Sequence, residues 1–483
     1  MKRLYNVLVK LPDTFKQLLP RIQYINLTCN MIPKKFWDLA GLADYDFENN
    51  WDWYELFDWA DEQNIPEEIF PRVIEPLQDM QKLDLKKLGI SEIVEDFGLL
   101  QNLQYLDISN NSLTKLPKSI AKLPNLQILK MQNDPKSTCP YTNRIGELPE
   151  GFTNLKHLAE FDAVGNSFVL PKQFGDLKEL VVLTLGGGGE FTLPKSFSQL
   201  GKLQKLTISG AKLSTLPEEI GNLNNLVELD LSINSLETLP QSFSKLENLR
   251  QLNLRSNLFS EFPSSITHLR ELRELDISNN KISTVDTNIC KCEHLRTLNL
   301  HRNNLGSLPE TFGKLKTLKE LTLYKNNLKK LPAGFENLFR INSLNLSFNQ
   351  LEELPENIAI MVNLGALNVS NNQISKLPKK FPTLPKLSNL DISNNLLNQL
   401  PDDFDKLKSL SHLNLSENRH LQNLPSHFGN LPKLIALELE GTSIKRLPRS
   451  FKKLKPHLRD YGKKFLQEKG QSFWQKILQA IGI

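Results

Sequence analysis

Residues able to carry covalent or metal chemistry are few in this 483-residue chain, and they do not converge. Eight histidines and the cysteines Cys29, Cys139, Cys290 and Cys292 form no HExxH and no paired Cys/His set with ligand spacing, so no metal and no cofactor is expected. Cys290-Lys-Cys292 is a lone CxC whose second thiol falls on a slot otherwise held by a leucine, which makes it a packing residue. The run Gly186 to Gly189 invites a phosphate-loop reading, yet GxxxxGK[ST], GxSxG and the kinase signature set are all absent. The expectation is a protein that is not an enzyme.

What stands out instead is a set of residue types suited to binding: Arg255, His301, Arg302, Tyr324, Lys325 and Phe348. Large cationic and aromatic side chains anchor protein interfaces. Their spacing gives them meaning. Arg255, His301 and Tyr324 fall where Ser109, Ser209, Ser232, Ser278, Ser347, Ser370, Ser393 and Ser416 stand elsewhere, and Arg302, Lys325 and Phe348 fill the adjoining slot, often Asn. Glu274, Asp276 and Glu320 border them, so the patch is mixed in charge.

The slots exist because the chain repeats. Asn234, Asn257, Asn280, Asn303, Asn326, Asn349, Asn372, Asn395 and Asn418 follow one another at 23 residues within the pattern LxxLxLxxNxLxxLPxxφxxLxx, the spacing of a leucine-rich repeat. In Leu226-Val-Glu-Leu-Asp-Leu-Ser-Ile-Asn234 the period-two alternation turns Leu229 and Leu231 to a core and Asp230 to solvent. A buried asparagine amide then bonds backbone groups of adjacent turns. Pro240, without an N–H, suits an irregular return limb. One repeat cannot bury enough surface to fold, so stacking makes the array stable. The fold class is α/β: a curved leucine-rich repeat solenoid with a parallel β-sheet on the concave face, irregular or 3-10 limbs on the convex face and a C-terminal helical cap.

Departures from the period divide the chain. Residues 1–79 read as degenerate N-terminal repeats with an acidic, Trp-rich insertion: between Trp37 and Pro71 lie four of the five tryptophans and eleven acidic residues, uninterrupted by Lys or Arg. Its aromatics are expected to pack over the open end of the core, with docking of a basic partner as the alternative. Residues 80–456 hold sixteen repeats, beginning at Met80. Nine extra residues near Asp134 predict a surface loop, and Gly186 to Gly189, where Gly188 and then Ala211 take the asparagine slot, predict the weakest seam. Residues 457–483 give a basic amphipathic helical cap, whose charge also suits a membrane surface.

Net charge is +5, with 59 basic and 54 acidic residues, a balance that argues for no nucleic acid. Few, unclustered cysteines favour a reducing, cytoplasmic setting. The unit from Leu318 to Pro332 resembles the intracellular leucine-rich repeat family, and within it the Ras-group scaffolds and their plant and bacterial relatives. That resemblance implies a non-catalytic interaction scaffold in signalling, with a protein partner on the concave face and a small GTPase among the partner classes. The acidic insertion and basic tail depart from the family pattern. The runner-up function is a peripheral membrane-surface adaptor held by the basic C-terminal helix.

Overall fold

In the computed structural model the described residues are 51–133 and 138–454. Sixteen strands, β1 to β16 in chain order from Lys82–Asp84 to Ala436–Glu438, form one parallel sheet in which each strand pairs only with its neighbours in sequence. The register repeats the period. Leu252, Leu275, Leu298, Leu321 and Leu344 are successive partners across β8 (Gln251–Asn253), β9 (Glu274–Asp276), β10 (Thr297–Asn299), β11 (Glu320–Thr322) and β12 (Ser343–Asn345). Every one of these leucines is buried, while the residues either side of it on the strand are not.

The asparagines hold adjacent coils together. Asn257 donates from Nδ2 to the carbonyls of Leu231 (2.9 Å) and Leu254 (3.0 Å) and accepts from the Leu236 N–H (3.0 Å). The same three bonds recur at Asn280, Asn303, Asn326 and onward to Asn418. Each peg therefore satisfies one donor and two acceptors that would otherwise be buried without partners. After it, the proline carbonyl opens a 3-10 turn, as where Phe243 N–H donates to Pro240 O (3.0 Å). Asp286 replaces that proline in one repeat and caps the turn through its side chain, accepting from Asn288 N–H at 2.8 Å. Phenylalanines of these turns stack in the core, Phe312 on Phe335 at 6.3 Å and Phe404 on Phe428 at 6.0 Å.

Two departures from the period show how the coils stay joined. In the repeat with extra residues the peg is not lost: Asn143 supplies it from beyond the excursion, accepting from Leu113 N–H and donating to Ile108 O (both 3.0 Å). At the glycine run, the expected weak seam is where the sheet pairs furthest. Strands β5 (Val182–Gly186) and β6 (Lys205–Ser209) are five residues long and register over all five, against three for the other strands. Gly186 allows this approach, since a Cβ there would lie 1.9 Å from Ser209 O, while Gly188 packs against the preceding coil, where a Cβ would lie 1.9 Å from Asn166 O.

At the N-terminal side, α1 (Trp51–Glu62) lays Trp53, Leu56, Phe57, Trp59 and Ala60 against the first coils. The Trp59 ring meets Phe70 and Phe97 edge-on at 5.7 Å each, and its Nε1 donates to Glu92 O at 2.7 Å. The degenerate repeats expected before Trp51 and the helical cap expected at 457–483 lie outside the described residues.

Candidate protein-docking face

The local backbone at each strand end decides what its side chains can do. The Asp or Asn of the strand accepts the N–H two residues on, as Asn253 does from Arg255 (3.1 Å) and Asn345 from Ser347 (3.1 Å). The next residue is then left-handed: φ is 56° at Ile233, 57° at Ser256, 54° at Asn279, 52° at Arg302, 54° at Lys325 and 54° at Phe348. Glycine and asparagine visit this region readily, whereas a β-branched or bulky residue does so at a cost. The frequent asparagine in this slot thus reflects backbone conformation and not only exposure. Arg302, Lys325, Phe348 and Ile233 are costly occupants, as are Lys87 and Glu417 on coils nearer the two ends.

Five of the six residues singled out from the sequence fall on three consecutive coils. Arg302, Lys325 and Phe348 are exposed, and Lys325 Nζ lies 5.6 Å above the centre of the Phe348 ring. Tyr324 is half-buried and stacks on His301 with ring centres 4.5 Å apart and planes 9° from parallel. His301 was read as a contact residue, and here the structure differs. It is only 9% exposed, covered by Tyr324, with Nδ1 donating to Asn299 Oδ1 at 2.6 Å. Burial holds its pKa below the usual imidazole value, so it is a neutral platform under Tyr324. Arg255 is exposed and stands apart, with the Ser278 coil between it and His301.

Sequence reading missed Ile233, which is 61% exposed at the same left-handed slot three coils before Arg302, and Leu258, exposed on the next coil. The signal available was a β-branched residue, the only one at this slot among the described coils with a left-handed φ. Of the bordering acids, Asp276 is already occupied, bonding Ser278 N–H (2.9 Å) and Asn299 Nδ2 (2.9 Å). Between the two sides of the sheet face run shallow troughs floored by strand residues, one from Lys205 to Asn299 and one from Ser343 to Glu438.

Among the described residues no three His, Cys, Asp or Glu side chains gather to hold a metal. Cys292 is fully buried in its leucine slot, its thiol pushed up to about 12 by desolvation, and thus unreactive. Among the same residues no helix is long and apolar enough to cross a membrane.

The family described as leucine-rich repeat region matches residues 199–287, and the leucine rich repeat family matches 293–351, 362–419 and 409–431. Paired copies match 101–140 and 270–312, and together the matches span more than half of the chain. A leucine-rich repeat protein of Leptospira interrogans has a similar structure, with TM-score 0.66 and 29% identity over 80% of this chain and 97% of that one. A TDR receptor (TM-score 0.64, 27% identity) aligns over 78% of this chain and 66% of its own. A plant peptide hormone receptor in complex with RGF2 (TM-score 0.60, 26% identity) aligns over 78% of this chain and 65% of its own, so this chain spans a little under two thirds of each receptor. Among curated proteins compared by sequence, none matches.

Proposed function

This chain belongs to the leucine-rich repeat family, and from that premise we propose that it is a non-catalytic scaffold that docks a protein partner on the concave sheet face at Arg255, Arg302, Tyr324, Lys325 and Phe348. The observation carrying this reading is the run of Arg302, Lys325 and Phe348 in left-handed backbone slots that suit Asn or Gly. Three consecutive coils spend stability to present large cationic and aromatic groups to solvent, next to a Tyr324 ring fixed by His301. A similar plant receptor holds its peptide hormone in the solved complex, which supports a polypeptide as the ligand class here. A signalling role in the cytoplasm, with a small GTPase among the candidate partners, follows from the resemblance.

The test is affinity capture from the source cell with the wild-type chain and with R255S/R302S/Y324S. Partners recovered by the first and lost by the second are expected. Identical recoveries would remove the docking face. The second reading, a membrane-surface adaptor, rests on eleven Lys or Arg against two acids between Lys445 and Lys476. Sedimentation with anionic vesicles, with and without residues 455–483, separates it from the first.

A further inference from the structure

The repeats supply their own background at every slot, and one slot not used above departs from it. The residue after the first leucine of each unit is Gln104, Gln127, Ala159, Val181, Gln204 and Val227 in the early coils and Asn342, Gly365, Ser388, Ser411 and Ile435 in the late ones. Between them it is Arg250, Arg273, Arg296 and Lys319, four cations in four consecutive coils. Their backbones are bonded directly to one another: Arg273 N–H donates to Arg250 O (2.8 Å), Arg296 to Arg273 O (2.7 Å) and Lys319 to Arg296 O (2.8 Å). Neighbouring strands lie about 4.8 Å apart, so the four charges form a column about 14 Å long.

Like charges directly opposite one another across a sheet are destabilising. None of the four side chains takes part in an ion pair or hydrogen bond among the described residues, and three are exposed, with Arg273 half-buried. The column also coincides with the other departures. It occupies the coils that carry Arg255, His301, Arg302, Tyr324 and Lys325, at the opposite end of the same short strands. Six of the fifteen arginines of the chain fall between Arg250 and Arg302. A guanidinium fork is matched to planar carboxylates.

We propose that Arg250, Arg273, Arg296 and Lys319 form a binding column for the acidic face of an α-helix supplied by a protein partner. This deepens the docking reading above and rests on it. A helix laid along the column presents one residue per turn of about 5.4 Å, close to the strand spacing, so acids at i, i+4, i+7 and i+11 meet successive cations. An extended peptide places same-side residues about 6.8 Å apart and falls out of step within three coils. A uniformly charged phosphate backbone fits less well, because Glu274 and Glu320 stand exposed immediately after Arg273 and Lys319 in the same coils. A helix has neutral or basic flanks to set against those acids.

The experiment uses the full chain and a fluorescein-labelled helical peptide with Glu at i, i+4, i+7 and i+11. Its partner probe has the same composition with the four Glu scattered around the helix. Anisotropy titrations compare wild type, R250Q/R273Q/R296Q/K319Q, and a charge-matched control, K195Q/K245Q/K291Q/K314Q, which removes four exposed lysines from the 3-10 limbs. Matching circular dichroism melts confirm that each variant folds. The expected result is that wild type and control bind the aligned peptide at least tenfold more tightly than the column variant, and more tightly than they bind the scattered peptide. Equal weakening in both variants, no preference for the aligned peptide, or tighter binding of a single-stranded DNA or an anionic vesicle would overturn the proposal. Because R255S/R302S/Y324S leaves the column intact, loss of partners by that variant while wild type shows no preference for the aligned peptide removes this inference alone, whereas identical recoveries remove the docking face.

Discussion

Ile233, Phe348, Arg302 and Lys325 show how a single dihedral angle separates stability from use. Each sits near φ 50–56° in a slot that several other coils fill with Asn or Gly, a conformation costing about 1–2 kcal/mol for an ordinary L-residue. Ile233→Asn and Phe348→Asn are therefore expected to raise thermal stability by about 1 kcal/mol each, while Phe348→Asn lowers partner capture. Melting curves and the capture assay on the same variants check both halves; a Phe348→Asn protein that gains stability and keeps its partner would show strain without purpose. Asp162 is the second residue whose state matters. Burial raises its carboxyl to about 6 in the fold, above the ordinary 3.8, and Val164 N–H and Lys130 only partly oppose this. The folded state thus binds the proton more tightly than the unfolded chain. Stability from this group is full below about pH 4, declines as pH rises towards 6, and stays lost above it. Asp162→Asn keeps the acceptor for Val164 and is expected to be more stable than wild type at pH 7, on the order of 1–2 kcal/mol, with the gap closing at pH 4. A melting-temperature series over pH 4–7 measures it, and a constant gap would contradict the assignment.

For the element, the sequence was legible wherever a residue type has one structural use. The asparagine every 23 residues foretold the bonded column from Asn234 to Asn418, and the leucine alternation foretold strands in register. It was illegible where one residue has two uses. Asn279, Asn371 and Asn394 look like exposed polar residues, and only their φ of 50–55° shows that the backbone selects them. The glycine run misled in the same way: its sequence displays the peg that is gone, and not the additional strand pairing that glycine permits between β5 and β6. This yields a prediction opposite to consensus logic. Gly188→Asn would restore the missing asparagine, but its Cβ would stand 1.9 Å from Asn166 O, so the variant is expected to lose stability by about 2 kcal/mol or more. Gly201→Ala, with nothing within 4 Å of the added carbon, is the control and should be neutral or slightly stabilising. Thermal melts of the two variants decide between strain and peg, since a stabilised Gly188→Asn would mean the seam can open to admit the side chain.

Across the whole molecule, the information in the repeats is about the core, which is why fold was readable at once while the partner was not. Sixteen coils share their buried leucines, and the residues proposed for docking became visible only as exceptions against that shared background. Even then the burial of His301 was hidden, because nothing in its slot reveals that Tyr324 covers it. The same architecture governs how damage spreads. Each strand pairs only with its sequence neighbours, so stability is a sum of local terms and nearest-neighbour terms, and an end can fray without melting the middle. The exposed core at the N-terminal side is covered by α1, with Trp59 wedged between Phe70 and Phe97. Trp59→Ala removes the largest buried side chain there and is expected to cost about 3–5 kcal/mol. In a globular domain that loss would lower protection everywhere. Here hydrogen exchange should accelerate in β1 and its next neighbours and leave β8 to β12 unchanged, with binding of the acidic helical peptide retained. Uniform acceleration through β12 would show that the array melts as one cooperative unit, and that the docking coils depend on a cap about seven strands away.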